Sequence, residues 1–253
     1  MEDPIIVSGT PRAGTTWIQW FLSQHPRIHI HGQEPQLPWV TMLTWHEELV
    51  AAGKWGKQSN KSDDVAKYPI PHYAGSDEKR CNEIFKTMVK DFLCGFGPDK
   101  PRWGVKCLWL CVNLDTARKI DKLWPKTKWI ICIRHPFVSF ESQKNTFVKD
   151  MDLDAWIQRW IASAKFLDTG GFLVQIDQLS KKTEQERKDA LDKLFEFIEE
   201  QPSPATDAFI KEWKVIHKVR QDSQRTFSLS ENRKKQMYDK HPKLKEYMQK
   251  FGY

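Results

Sequence analysis

A run near the N-terminus, Ser8-Gly9-Thr10-Pro11-Arg12-Ala13-Gly14-Thr15-Thr16-Trp17, has the residue types and spacing to cradle a phosphate. Gly9 and Gly14 keep the spacing of G-x-x-x-x-G-K-[ST], but Thr15 stands where the lysine would be and the cation, Arg12, lies inside the loop. In nucleoside triphosphate hydrolases and kinases that lysine reaches the β- and γ-phosphates, and a later carboxylate helps hold magnesium. Thr15 cannot neutralise a γ-phosphate, and the buried strands that follow end in no obvious magnesium-binding aspartate. A different phosphorylated anion is therefore expected, with a kinase as the alternative.

Other reactive side chains fall at or just after the ends of apolar runs. Lys106 follows Trp103-Gly104-Val105, Arg134 follows Ile130-Ile131-Cys132-Ile133, and Glu34 follows an alternating stretch that contains His29 and His31. Glu34 is the first candidate for a general base, with the two histidines as alternatives. Their i, i+2 spacing with Glu34 could suggest a metal, but no further ligand-spaced partners accompany them, and no metal is expected.

These side chains need a scaffold that brings strand ends together. Ile5-Ile6-Val7 suits a buried parallel strand, and the residues from Thr15 begin an amphipathic helix, whose N-terminal amides and dipole would face an anion. Further strands are expected at 27–31, 103–108, 128–133 and 172–176. Helices are expected at 37–49, at 78–96 with Ile84, Met88 and Phe92 on one face, at 112–123, after Pro136, at 154–166, at 184–198 behind the capping box Thr183-x-x-Glu186, and around 231–238 and 244–251. Strands alternating with helices predict an α/β fold with a central parallel sheet flanked by helices. Its ligand should lie outside the carboxyl ends of the strands. No linker divides the chain, so residues 1–253 are read as a single domain. Residues 54–77 lack a period and could form a lid, although a surface loop is the commoner meaning. The basic stretch from Lys211 reads as a solvated face, with Arg225 closing over an anion as the alternative.

The net charge of +7 favours an anionic ligand or partner. Nucleic acid ranks low, because the basic residues are spread out and no nucleic-acid-binding signature accompanies them. Five cysteines are an odd count without C-x-x-C spacing, and Cys107 and Cys132 lie in apolar runs, which fits core thiols and a reducing compartment. No apolar segment of signal or membrane length is seen, so the expectation is a cytoplasmic enzyme without a membrane partner, a trimmed luminal domain being the alternative. Twelve tryptophans, among them Trp39, Trp45, Trp109, Trp156 and Trp160, could wall an apolar acceptor site or fill the core.

Together these residues resemble the sulfotransferases that use 3′-phosphoadenosine 5′-phosphosulfate (PAPS), a P-loop-like family. Pro11 to Trp17 is similar to the family's 5′-phosphosulfate loop, and Ile133-Arg134-His135-Pro136 with Ser142 to its 3′-phosphate motif. Trp103 to Lys106 resembles its strand-end lysine segment. Gly32-Gln33-Glu34 resembles the tyrosylprotein sulfotransferase arrangement, and Phe251-Gly252-Tyr253 the ending of many bacterial-type members. Two positions depart from the cytosolic branch: Leu108 replaces its histidine base, and its tyrosine–acid pair that helps hold adenine stands here as Ile176-Asp177. The glycine-rich C-terminal motif of that branch is absent.

The resemblance implies transfer of a sulfuryl group from PAPS to a hydroxyl or amine, with 3′-phosphoadenosine 5′-phosphate (PAP) as product. It assigns Arg12, Lys106 and Glu34 to catalysis, and Arg12, Ala13, Gly14, Thr15, Thr16, Trp17, Arg134 and Ser142 to nucleotide binding. Ser139 is the hydroxyl that competes with Ser142. Trp17 could stack on adenine or simply pack the core. The acceptor is a small molecule, glycan or peptide, and a non-catalytic nucleotide-binding module is the further alternative.

Overall fold

The computed structural model describes residues 2–33, 36–59, 78–94, 98, 100–146, 150–213 and 228–253. Five strands form a sheet in which every pairing is parallel: β1 (Ile5–Gly9), β2 (Ile28–Gln33), β3 (Arg102–Lys106), β4 (Lys128–Cys132) and β5 (Phe172–Val174). Their order is β2-β3-β1-β4-β5. The chain leaves β1 toward β2 and β3 on one side and returns to β4 and β5 on the other. The order therefore reverses between β1 and β4, which opens a crevice at their carboxyl ends.

Alternation along the strands divides the core into two layers. Ile5, Val7, Ile28, Ile30, Ile130 and Cys132 join α1 (Thr15–Gln24), and Ile6, Trp103, Val105, Ile131 and Ile133 face the opposite layer. That second layer is built largely by α2 (Gln36–Ser59), α3 (Glu78–Cys94), α4 (Leu114–Leu123), α5 (Pro136–Thr146) and α6 (Leu153–Phe166). Beyond β5 come α7 (Ile176–Leu179), α8 (Glu184–Phe197), α9 (Pro204–Lys211), α10 (Glu231–Lys240) and α11 (Pro242–Lys250). The capping box at Thr183 forms as its spacing predicts, Thr183 Oγ1 accepting from Glu186 N at 3.3 Å while Glu186 Oε2 accepts from Thr183 N at 2.8 Å.

Some expectations need correction. The apolar face foreseen on α3 points outward at two of its positions, since Ile84 is 56% and Phe92 61% exposed. The buried stripe lies one residue further on, at Phe85, Val89 and Leu93. Both sets share the i, i+4, i+8 period, so periodicity alone could not choose between them. The strand expected to reach residue 176 stops at Val174, and Ile176 opens α7. The helix expected at 37–49 runs from Gln36 to Ser59, taking in the start of the lid candidate. Helix α4 starts at Leu114, with a separate 3₁₀ turn at Leu110–Val112 before it. Residues 60–77, Glu34 and Arg225 lie outside the described residues.

Candidate functional site

Strand β1 delivers the glycine loop into the crevice. Gly9 has φ 131°, and a Cβ built there would stand 2.1 Å from the carbonyl oxygen of Cys132, so β1 and β4 approach as closely as backbone allows. Gly14, the left-handed N-cap of α1, would bring a Cβ to 2.3 Å from Ile176 Cγ1. Arg12 also takes a left-handed φ of 65°, a conformation that generally costs a residue with a side chain about 1–2 kcal/mol.

The first turn of α1 contains no acidic residue, and no side chain caps it. Among the described residues its leading amides therefore have no capping side chain, and they face the loop with the positive end of the dipole. Thr10 Oγ1 is buried without a hydrogen-bond partner among the described residues. These donors suit a phosphate group. Among the described residues no cluster of three or more His, Cys, Asp or Glu could share a metal ion.

Three cations and two hydroxyls converge on this loop. Arg12 Nε donates to Ser142 Oγ at 3.1 Å, and Arg134 Nη1 donates to the Arg12 carbonyl at 3.4 Å. Lys106 Nζ donates to Thr16 Oγ1 at 3.1 Å. The two sequence motifs, 130 positions apart from Arg12 to Ser142, thus meet side chain to side chain. Ser139 turns away, its Oγ donating to Pro136 O at 2.9 Å within its own helix. Trp17 is only 5% exposed and packs against Phe21 and Trp213, with ring centroids 5.2 and 4.6 Å away, which favours its core role.

Lys106 is 5% exposed, and burial, the largest influence, pulls its ammonium below the ordinary value while Cys132 acts in the opposite direction. Ser8, the first residue of the phosphate-loop run, braces the turn that follows Lys106. Ser8 Oγ donates to Cys107 O at 2.8 Å and accepts from Cys111 N at 3.2 Å. Trp109 N donates to Gly9 O at 3.1 Å, so the turn that follows Lys106 is stitched to the end of β1.

On the other flank, the backbone register sets Gln33 opposite Lys106, immediately before Glu34. His29 and His31 lie edge to face with centroids 4.3 Å apart, on the side of β2 away from α1. Burial, reinforced by His29, pushes His31 down to about 4, so this ring is neutral near pH 7 but a weak base. His135, next to Arg134, is also held below its ordinary value, chiefly by burial.

A glycine loop between β1 and α1 at the point where the strand order reverses is the arrangement of a P-loop-like α/β protein. A model of the sulfotransferase family matches residues 4–170, and the chain belongs to that family. A Caenorhabditis briggsae protein named "Putative protein-tyrosine sulfotransferase" is 28% identical over 133 residues, 53% of this chain but only 40% of that protein. The chain thus spans well under half the length of the curated relative it matches. Among solved structures, the sulfotransferase domain of the Synechococcus PCC 7002 olefin synthase has a TM-score of 0.58 at 16% identity, covering 100% of this chain and 96% of that one. The sulfotransferase domain from the curacin biosynthetic pathway gives 0.53 at 14% identity, covering 100% and 98%. Both share the fold.

Proposed function

We propose that residues 1–253 act as one catalytic domain that transfers a sulfuryl group from PAPS to a hydroxyl or amine of an acceptor. The observation that carries this reading is the Arg12–Ser142 contact, because it makes one site of a 5′-end loop and a 3′-end motif. PAPS supplies the activated sulfuryl group and leaves as PAP. The amides of Ala13 to Thr16 and the hydroxyls of Thr15 and Thr16 hold the 5′-phosphate, and Arg134 and Ser142 hold the 3′-phosphate by charge-assisted and hydroxyl hydrogen bonds.

Arg12 and Lys106 stabilise the negative charge that grows on the transferring and bridging oxygens, without a metal ion. Glu34 takes the acceptor proton; the register of Gln33 against Lys106 supports a base on this flank. Peptide tyrosine is the first acceptor to screen, given the name of the Caenorhabditis relative, followed by glycans and small phenols. The unbridged thiols of Cys111 and Cys132, both buried, support a reducing, cytoplasmic setting. Among the described residues no helix is long and apolar enough to cross a membrane.

Consumption of labelled PAPS in the presence of an acceptor library and a metal chelator tests this reading. Turnover of ATP with magnesium instead would favour a kinase. Nucleotide binding without any turnover would favour a regulatory module.

A further inference from the structure

The turn that carries Arg134 is held from behind by aromatic hydrogen-bond donors. Arg134 O accepts from Trp160 Nε1 at 2.8 Å, and Pro136 O accepts from Trp156 Nε1 at 3.1 Å. Ile133 O accepts from the hydroxyl of Tyr253 at 3.3 Å, across 120 positions of sequence. That hydroxyl also meets Asp177 Oδ1 at 3.1 Å, so its single proton is shared between the end of β4 and the start of α7. The Tyr253 ring stands edge-on to His135 with centroids 5.5 Å apart. Gln175 Nε2 donates to Phe251 O at 2.9 Å, which fixes the segment that presents Tyr253. Burial and the neighbouring Asp177 push the Tyr253 hydroxyl well above its ordinary value, so it remains a donor at any working pH.

Tyr253 therefore joins two walls of the crevice. One wall is the β4 end, from which Arg134 reaches the Arg12 carbonyl. The other is α7, whose Ile176 packs against Gly14 of the loop. The sequence has no tyrosine beside Asp177, yet the fold brings one to it. Both residues lie beyond the stretch that the family model matches.

We propose that Tyr253 is a positioning residue for the 3′-phosphate side of the site, fixing the β4–α5 turn so that Arg134 stays aimed at the loop. This rests on the reading of Arg134 as a 3′-phosphate ligand. The experiment compares binding of PAP and of adenosine 5′-monophosphate, by calorimetry, to the wild type and to Tyr253→Phe, Tyr253→Ala and Asp177→Ala. The wild type should bind PAP at least about tenfold more tightly than the monophosphate. Tyr253→Phe and Asp177→Ala should weaken PAP roughly three- to tenfold and Tyr253→Ala about tenfold or more, with the monophosphate changed by less than about twofold.

Turnover at saturating PAPS should stay within about twofold for Tyr253→Phe, the loss falling on KM. Equal losses for both nucleotides, or no loss, would overturn the inference while leaving the site intact. A wild type that fails to distinguish the nucleotides would remove the Arg134 reading and this inference with it. If circular dichroism shows Tyr253→Ala unfolded, Tyr253→Phe and Asp177→Ala decide the matter.

Discussion

Replacing Gly9 with alanine tests how closely the crevice is built. The new Cβ would stand 2.1 Å from Cys132 O, 2.9 Å from Cys132 N and 3.0 Å from Cys132 C, against roughly 3.5 Å for ordinary van der Waals contact. All three are backbone atoms at the end of β4, so no side chain can swing away. Strands β1 and β4 would have to part by about 1 Å or more, where Thr10 N donates to Cys132 O at 3.3 Å. Loss of that bond costs about 0.5–1.5 kcal/mol, and forcing φ of 131° on a residue with a side chain adds about 1–3 kcal/mol. The sum, about 1.5–4.5 kcal/mol, should appear as a lowered urea midpoint at unchanged slope. Gly170→Ala is the control, because Gly170 has φ 120° but, among the described residues other than its chain neighbours, no atom lies within 4 Å of its built Cβ. It should lose only the backbone contribution and keep nucleotide affinity. If Gly9→Ala is destabilised no more than Gly170→Ala and binds nucleotide normally, the close approach of β1 and β4 is wrong.

Three further outcomes follow from the site. Lys106→Met removes a buried cation at nearly constant shape; stability should hold or rise by about 1 kcal/mol while turnover falls at least roughly a hundredfold, and retained turnover would remove Lys106 from catalysis. Glu34→Gln should leave PAP binding intact and cut turnover by roughly a hundredfold or more, and near-normal turnover would assign the proton elsewhere. For His31, the folded value of about 4 lies below the ordinary 6.5, so the unfolded chain binds the proton first and stability falls as pH drops from 6.5 toward 4. His31→Gln should remove a pH-dependent loss of up to about 3 kcal/mol, measured as urea stability at pH 7 and pH 4.5; parallel curves for the two proteins would refute the assignment.

What the sequence made legible follows from what each signal measures. The β-branched runs before Gly9 and Arg134 can be satisfied only by burial on both faces, and both proved to be central strands of the parallel sheet. Capping chemistry is local, so the start of α8 was readable at Thr183. Ser203 and Thr206 form a similar box before α9, which the sequence pattern does not announce because Thr206 stands in place of the usual glutamate. The outward Ile84 and Phe92 share their period with the buried Phe85 and Val89, and only the packing of α3 on the sheet separates them. Trp156 and Trp160 carry an apolar body and one polar donor, so their composition fitted an acceptor wall as well as the Arg134 turn they brace. The Tyr253–Asp177 contact spans 76 positions, and no local signal announces a pair made by tertiary docking.

The proposal that the two motifs together bind one doubly phosphorylated nucleotide is tested most directly by titrating the protein, in chelator and without added metal, with PAP, adenosine 5′-monophosphate and, in a parallel series with magnesium, ATP. Binding of PAP at least about tenfold tighter than either competitor is the expected result, since in the proposed site charge-assisted bonds from Arg134 and the Ser142 hydroxyl would add to the loop's hold on the 5′-phosphate. Preference for ATP with magnesium, or equal affinity for PAP and the monophosphate, would contradict the account.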